Sequence, residues 1–267
     1  MTTSRLTRVA LRVASGAVLA FLYLPLIIIV IYAFNESRLQ AWPPTGFTLH
    51  WFGEAFSNPG VADAIRNSLI AATVATGIAL VLGTMAAMAV QRFSFFGRQT
   101  ISFFLVLPIA LPGVVTGIAL RTTIVTFGID FGLMTIIIGH ATFCVVIAYN
   151  NVIARLRRLP RTPEEASADL GADMFTTFRR VTLPGMGTAL LSGGLLAFAL
   201  SFDEIIVTLF TAGAGTRTLP MWIFQSIQRP NELPVVNVVA FVLILASIIP
   251  VWLAQRIAGA ETTGARL

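Results

Sequence analysis

The chain has no lysine, a single cysteine and few charges of either sign, since charged residues make up only 11% of its 267 positions. A soluble domain carries about a quarter charged residues, so the deficit indicates a protein that lies mostly in lipid. Cys144 lies in an apolar run, and a lone cysteine provides neither an intramolecular disulfide nor a metal cluster. All 18 basic residues are arginine, which we interpret as codon bias rather than a chemical requirement.

Sequence motifs for catalysis are also missing. The chain has no Gly-rich loop ending in lysine, no nucleophile elbow and no His-Glu-x-x-His helix. We therefore predict no enzyme activity, no catalytic residue and no bound metal or cofactor, and we expect any ATP and Mg²⁺ to bind another polypeptide. The isoelectric point near 10.9 would suit nucleic acid. However, the arginines lie at the ends of apolar segments, so we expect no nucleic-acid partner.

Six segments are long and apolar enough to cross a bilayer, which takes about 20 helical residues. They cover residues 13–34, 68–90, 101–120, 132–152, 188–210 and 235–255. The first is too long for the apolar core of a signal peptide, so we interpret it as an uncleaved anchor. The sequence thus predicts an all-α, polytopic membrane protein with six transmembrane helices in the lipid bilayer.

The arginines predict the orientation of these helices. If the N-terminus is cytoplasmic, thirteen of the 18 arginines fall on the inside and five on the outside. This bias favours cytoplasmic N- and C-termini. We therefore predict a cytoplasmic tail at 1–12, a transmembrane domain at 13–257 that includes a cytoplasmic insert at 153–187, and a cytoplasmic tail at 258–267.

Two segments of the transmembrane domain have distinctive helix-breaking or small residues. The third contains Pro108, Pro112, Gly113 and Gly117, so we expect a kink and a close approach to a neighbouring helix at the glycines. The second segment has Ala, Gly and Thr over most of its length, which favours burial within a helix bundle.

The insert begins with a pattern typical of a helix start. Thr162 is the predicted N-cap, Pro163 the first helical residue, and Glu165 is placed to reach back to the cap. Gly171 is expected to end this helix through a left-handed cap. We predict a second helix at 173–181 that ends before Pro184. This insert is either a docking element for a soluble partner or an ordinary capped amphipathic loop.

The fifth segment contains two acidic residues, Asp203 and Glu204, about 22 Å along a continuous helix. Intramembrane carboxylates need partners or water. Small and polar residues recur there at helical spacing: Gly194, Ala197, Ser201, Glu204, Thr208 and Thr211. We interpret this face as lining a solute path, with Ser201, Asp203, Glu204 and Thr208 as its candidate residues. The alternative is a structural ion pair or hydrogen bond from Glu204 to a neighbouring helix, for example to Arg121.

A histidine and the lone cysteine lie one helical turn apart in the fourth segment, at His140 and Cys144. A metal site needs more ligands than this pair, and none is evident nearby in sequence. We therefore expect both side chains to have a packing role.

The insert resembles the signature loop of bacterial ATP-binding-cassette importer permeases of type I. That loop reads Glu-Ala-Ala, three residues, Gly, nine residues, Ile, one residue, Leu-Pro. Glu165, Ala166, Gly171, Leu183 and Pro184 match it, while Ser167 and Val181 replace Ala and Ile. The resemblance implies a short coupling helix that docks on an ATPase subunit. The implied coupling residues are Glu164, Glu165, Ala166, Ser167, Asp169, Gly171, Leu183 and Pro184.

Within that family, the chain resembles the second permease of the spermidine/putrescine branch. The resemblance rests on Ser-Phe-Asp-Glu-Ile-Ile-Val at 201–207, Gly213, and Thr-Leu-Pro at 218–220. It implies a bacterial inner-membrane importer of polyamines or related small amines. The implied partners are a homologous permease that forms a heterodimer with this chain, two copies of a cytoplasmic ATPase, and a periplasmic or lipid-anchored substrate-binding protein.

Three alternatives remain from the residues alone. The first is an importer permease for another small solute, such as an amino acid or an organic ion. A second is a proton-coupled secondary transporter that uses Asp203 or Glu204, although no inverted repeat is visible. The third, a membrane-embedded hydrolase, would need a nucleophile–base pair or metal set that the sequence does not provide.

Overall fold

The computed structural model describes residues 5–264, without the side chains at positions 6, 249–251 and 253–264. Over this range the regular secondary structure is helical, apart from an isolated bridge between Asn35 and Phe47. This agrees with the predicted all-α class. The helices are α1 (Arg5–Ala33), α2 (His50–Ser57), α3 (Pro59–Arg92), α4 (Arg98–Ala110), α5 (Gly113–Thr126), α6 (Leu133–Leu156), α7 (Thr162–Asp169), α8 (Met174–Thr177), a π-helix (Phe178–Thr182), α9 (Leu183–Gly185), α10 (Gly187–Phe202), α11 (Ile206–Thr211), α12 (Leu219–Ser226), a 3-10 turn (Pro230–Glu232) and α13 (Leu233–Gly264).

The chain divides into two compact units. The first contains residues 1–59 and 223–267, and in it α1 and α2 pack against α13. The ring of Phe34 lies 5.0 Å from that of Phe52 and 5.5 Å from that of Phe241. Trp51 Nε1 donates to the backbone oxygen of Asn35 at 2.8 Å. These contacts fix the segment that joins α1 to α2.

The second unit contains residues 60–222 and is organised around α6. Along one side of α6 lies α3, whose buried residues are mostly alanine, as the small residues of this segment predict. A Cβ on Gly83 would come within 2.8 Å of the Cβ of Ala148, so only glycine permits this approach. On its other sides, α6 packs against α4, α10 and α11. Small side chains at the helix contacts thus compensate for the weak hydrophobic drive between helices in lipid.

Within the described residues, four helices are long and apolar enough to cross a bilayer. Two bent helix pairs, Arg98–Ala110 with Gly113–Thr126 and Met174–Gly185 with Gly187–Phe202, bring the number to as many as six. The four lie at Thr7–Ala33, Pro59–Arg92, Leu133–Leu156 and Pro230–Ile248. The first helix begins at Arg5, within the predicted N-terminal tail, and α13 continues to Gly264. Residues 265–267 of the predicted C-terminal tail lie outside the described residues.

The third predicted segment bends by 105° between α4 and α5. The break falls at Leu111 and Pro112, where both residues have extended backbone. Proline lacks the N–H that an α-helix would need at this position, and it also disfavours helical backbone in the residue before it. The predicted kink is therefore confirmed, in a stronger form than expected.

The fifth predicted segment is not one helix, so the prediction of a continuous helix over 188–210 is wrong. Helix α10 ends at Phe202, residues 203–205 are not helical, and α11 begins at Ile206. We call residues 203–205 the break. Ile205 is the N-cap of α11, and Glu204 Oε1, one residue earlier, accepts the first-turn N–H of Val207 at 2.9 Å. The β-branched run that follows also favours helix less than the leucines of α10 do.

Candidate functional site

The first helix that lies wholly within the insert is α7, and the first turn of α7 differs from the prediction. Arg161 is the N-cap and contributes no side-chain hydrogen bond, so the predicted cap by the Thr162 hydroxyl is wrong. The backbone oxygen of Arg161 accepts the N–H groups of Glu164 and Glu165, at 2.9 and 3.0 Å. Pro163 is the second helical residue rather than the predicted first, and it is tolerated there because the first turn needs no N–H from it.

Glu164 joins the insert to two other parts of the second unit. Its Oε1 accepts from Arg92 Nη2, at the end of α3, at 2.8 Å. The same oxygen accepts from Thr182 Oγ1, on the path to α10, at 3.0 Å. The carboxylate is only 20% exposed and the Arg92 side chain 10%. This pair is less screened than a surface ion pair, so it holds α7 against both neighbours. Sequence reasoning missed Arg92, which is 72 residues away from Glu164 in the chain.

The chain turns sharply at Gly171, which has φ +79°. The N–H of Gly171 donates to Ala168 O at 2.9 Å, and the N–H of Ala172 donates to Ser167 O at 3.1 Å. This pattern ends α7 with a left-handed residue, and the predicted cap at Gly171 is confirmed.

Two polar contacts fix α8 after the turn. The Ser167 and Thr177 hydroxyl oxygens lie 3.0 Å apart and join α7 to α8. Asp173 Oδ1 accepts the N–H of Thr176 at 2.7 Å. Two hydrogen bonds lower the pKa of Asp173 below its ordinary value. The larger effect comes from the Thr176 side chain and the smaller from its backbone N–H.

The segment after α8 differs from the predicted helix at 173–181. The chain continues through the π-helix into α9, and Pro184 lies in the first turn of α9 rather than beyond a helix end. The prediction that the helix ends before Pro184 is therefore wrong, because a proline in a first turn needs no N–H donor. Leu183 packs on the buried cluster of Tyr149, Leu156 and Met186, and Pro184 is exposed.

The outer surface of the insert is partly apolar. Leu170 is 89% exposed, and Met174 and Phe175 are each 69% exposed. We call these three residues the insert surface. Glu165, Ala166 and Asp169 are also exposed on α7. Sequence reasoning missed the three apolar residues, although apolar side chains on both sides of a turn glycine are a usable signal.

The predicted path residues lie around the break, in two different environments. Asp203 is exposed and Glu204 is half-buried. Ser201 is 2% exposed and Thr208 is fully buried. Thr208 Oγ1 donates to the backbone oxygen of Glu204 at 2.9 Å. The two carboxylates and the two hydroxyls thus lie at one place in the fold, but they do not share one continuous helical face.

His140, on α6, lies against both hydroxyls. Its Nδ1 is 2.7 Å from Ser201 Oγ and its Nε2 is 2.9 Å from Thr208 Oγ1. One turn further along α6, Cys144 Sγ donates to Ala197 O at 3.4 Å. Arg121, the suggested ion-pair partner of Glu204, instead has its Cζ 5.0 Å from the ring centre of Phe131. Among the described residues, no three His, Cys, Asp or Glu side chains are grouped as a metal site would require.

The two broken segments lie side by side. A Cβ on Gly113, the first residue of α5, would be 3.3 Å from Ile206 Cγ2 at the start of α11. Gly117 lies directly against the Phe210 ring, so no larger residue fits there. The close approach predicted from these two glycines is confirmed. It brings the helix ends at 110–113 close to those at 202–206.

Curated relatives of the chain include bacterial transport permeases. The putrescine transport system permease protein PotI of Escherichia coli (strain K12) is 38% identical over 228 residues, which are 82% of this chain and 80% of the relative. The spermidine/putrescine transport system permease protein PotC of the same strain is 32% identical over 249 residues, 93% of each chain. PotC of Haemophilus influenzae (strain Rd) is 33% identical over 241 residues, 90% of this chain and 93% of the relative.

Solved structures share the fold at lower identity. A bacterial ABC transporter involved in the import of the acidic polysaccharide alginate matches with a TM-score of 0.75 and 15% identity, covering 96% of this chain and 99% of that chain. The MetNI methionine ABC transporter in an inward-facing conformation matches with a TM-score of 0.58 and 18% identity, covering 75% and 94%.

A family comparison covers most of the second unit and continues into α13. Residues 79–260 match the binding-protein-dependent transport system inner membrane component family. The match includes the insert, the break and both bent helix pairs, and it agrees with the resemblance that the insert motif indicates. The chain therefore belongs to the family of inner membrane components of binding-protein-dependent transport systems.

Proposed function

We propose that this chain is one of two permease subunits of an ATP-driven importer, and that it forms half of the path for a polyamine such as putrescine or spermidine. The observation that carries the proposal is the break at 203–205, where two carboxylates lie beside a second broken helix. The relatives named for putrescine and spermidine transport support the choice of solute.

The helix ends at the break and at Leu111–Pro112, between α4 and α5, favour a cation. Helix α10 ends at Phe202 and α4 ends at Ala110. The last four carbonyls of a helix lack intrahelical partners, and the C-terminal end of a helix carries a partial negative charge. Carbonyl ends and carboxylates together attract ammonium groups and disfavour anions. A diamine presents such a group at each end, so Asp203 and Glu204 match its chemistry.

The path in this proposal uses residues of two kinds. Asp203 and Glu204 provide charge, whereas Ser201 and Thr208 are buried and hold the backbone around the break. Broken helices inside a membrane are tolerated where their backbone is buried in protein or lines a water-filled cavity.

The insert is the proposed docking element for a separate ATPase. The insert surface of Leu170, Met174 and Phe175 is apolar and exposed, and desolvated apolar and aromatic side chains dominate binding at protein interfaces. Glu165 and Asp169 form its polar rim, with the exposed Ala166 beside them, and Gly171 sets the turn. Glu164 and Ser167 act from the inner side, where they join α7 to α3, to the segment leading to α10, and to α8.

Displacement of α7 would therefore move α3 and α10 together. ATP-driven closure of the partner would shift the equilibrium between two conformations of the path, because the partner binds one of them better. Leu183 packs against the buried cluster under the insert, so Leu183 and the exposed Pro184 form the connection from the insert into α10.

The remaining assembly follows from the proposed role. It contains a homologous permease, two copies of a cytoplasmic ATPase that binds ATP and Mg²⁺, and a periplasmic or lipid-anchored binding protein. In this proposal the transmembrane domain is 13–257, and the tails at 1–12 and 258–267 and the insert at 153–187 lie in the cytoplasm.

The test is the ATPase activity of the purified complex in lipid, with its binding protein, across putrescine, spermidine and a panel of amino acids. We expect stimulation by putrescine or spermidine. Stimulation only by another solute would reject the polyamine while keeping the importer. Purification without any ATPase activity would reject the importer and favour a proton-coupled secondary transporter.

A further inference from the structure

One buried side chain bridges the break. Ser201 belongs to the last turn of α10 and Thr208 to the first turn of α11, on opposite sides of residues 203–205. His140 reaches both hydroxyls with its two ring nitrogens, at 2.7 and 2.9 Å, and is itself fully buried.

The direction of each hydrogen bond follows from counting protons. Thr208 has one hydroxyl proton, which it donates to the backbone oxygen of Glu204. Its oxygen must therefore accept from His140, and this assigns the ring proton to Nε2. In a neutral ring Nδ1 is then an acceptor, and Ser201 donates to it. The result is a directed chain from Ser201 through His140 and Thr208 to the Glu204 carbonyl.

The same face of α6 contacts both halves of the broken segment at other points. A Cβ on Gly139 would lie 3.0 Å from Val207 Cγ1 and 3.2 Å from Thr211 Cγ2, so α11 lies directly on α6. Thr135 Oγ1 donates to Thr211 O at 2.7 Å. Cys144 provides the corresponding contact to α10 through Ala197. His140 lies between these contacts and hydrogen-bonds to both halves.

We infer that His140 is a positioning residue of the solute path: it fixes the ends of α10 and α11, and so holds the Asp203 and Glu204 carboxylates in one arrangement. The inference rests on the proposed cation path. Without the imidazole, the two buried hydroxyls lose a shared partner and the break samples several backbone arrangements. A solute would then have to order the break on binding, which weakens its interaction without removing either charge.

The first test measures putrescine uptake and ATP hydrolysis together, in proteoliposomes that contain the whole complex and saturating binding protein. We expect His140→Leu to lower the ratio of putrescine transported to ATP hydrolysed by about tenfold, as lost buried hydrogen bonds allow. The ATPase rate per assembled complex should stay within about twofold, because the insert is unchanged. A role limited to folding would lower uptake and hydrolysis in proportion to the amount of assembled complex.

Conservative variants refine this test. His140→Gln keeps an N–H at the position that faces Thr208 and should restore most of the ratio. His140→Asn reaches only toward Ser201 and should restore less. Cys144→Ala is the matched control, since Cys144 lies on the same face of α6 but its hydrogen bond goes to Ala197 of α10 and does not bridge the break. This variant should behave as the wild type. If the leucine variant does not assemble, Thr208→Val removes the same chain at its other end and should show the same loss.

A second measurement separates this inference from the identity of the solute. Amide hydrogen exchange of the complex without solute should be about tenfold faster at residues 203–207 in His140→Leu, because local opening controls exchange there. Exchange at 135–139 and in Cys144→Ala should match the wild type. Unchanged exchange at the break would overturn the inference whatever the solute is.

Faster exchange with an unchanged transport ratio would overturn the role in transport. A wild-type complex that putrescine does not stimulate would reject the polyamine proposal, and the exchange result would still decide whether His140 holds the break.

Discussion

The insert (residues 153–187) and the break (residues 203–205) both interrupt the long helices of the chain, but they are stabilised in opposite ways. The insert is fixed at its inner edge by Glu164 and turns its apolar side chains outward. At the break, the hydroxyls of Ser201 and Thr208 on either side are buried, and the Asp203 carboxylate is exposed. An interruption outside the membrane has water to satisfy its backbone, so its surface is available for a partner. An interruption inside the membrane must satisfy its backbone internally, and its specificity comes from the few charges that remain accessible.

The largest expected effect comes from changing the turn of the insert. Gly171→Pro should reduce solute-stimulated ATPase activity by at least about tenfold, because proline fixes φ near −65° and removes the N–H that ends α7. Gly171→Asn tolerates the left-handed backbone and serves as the control. The measurement is the stimulated ATPase rate of the inserted complex. Equal rates for the two variants would mean that the turn does not matter for coupling.

Removing one charge at the break should have the next largest effect. Glu204→Gln keeps an oxygen that can accept the Val207 N–H, and it removes only the negative charge. We expect putrescine uptake to fall by about tenfold while assembly is unchanged, since the attraction between a half-buried carboxylate and a cation contributes on the order of 1–2 kcal/mol. Uptake assays with purified, quantified complex check this. Full uptake by the variant would assign Glu204 to structure alone.

Two adjacent carboxylates of the insert test the contrast between anchoring and docking. Glu164→Ala leaves Arg92 nearly buried without its partner and should lower the melting temperature of the complex by about 3–6 °C, corresponding to about 1–2 kcal/mol. Glu165→Ala removes an exposed side chain and should leave the melting temperature within about 1 °C. Intrinsic tryptophan fluorescence during heating measures both. A similar shift for both variants would contradict the anchoring role of Glu164.

The smallest effect concerns the cap of α8. The pKa of Asp173 is lower in the folded chain than its ordinary value, so its cap is fully effective above the ordinary pKa. The stabilisation is lost as the pH falls through the lowered pKa. Asp173→Asn keeps an acceptor that does not titrate. The protection factors of the amides at 174–177, which are exchange rates corrected for their intrinsic pH dependence, should therefore fall below about pH 4 in the wild type and stay constant in the variant.

The local features of the insert are readable from sequence, while its attachments are not. Pro163 and Gly171 act through their own backbone geometry, so their positions predict a helix start and a turn. Arg92 is far away in the chain, and its contact with Glu164 depends on how α3 and α7 pack. The π-helix at Phe178–Thr182 carries no proline or glycine that would mark it.

The break was missed because periodicity alone predicts helix through it. The small and polar residues from Gly194 to Thr211 keep helical spacing across residues 203–205. The helix ends there only because the Glu204 carboxylate accepts the Val207 N–H at the start of α11. That hydrogen bond is stable because His140, on another helix, holds the hydroxyls on either side. The sequence shows a histidine in one apolar segment and a serine and a threonine in another, but it does not show that these side chains are close. Only the folded chain identifies Ser201 and Thr208 as the partners of His140.

Cys144 has a practical consequence for measuring these motions. It is the single cysteine of the chain and it is buried, so water-soluble thiol reagents reach it slowly in the folded protein. A cysteine introduced at an exposed position, such as Phe175 on the insert or Asp203 at the break, would be the one reactive thiol on this subunit. The native sequence thus already provides the background for attaching a spectroscopic label at one chosen site.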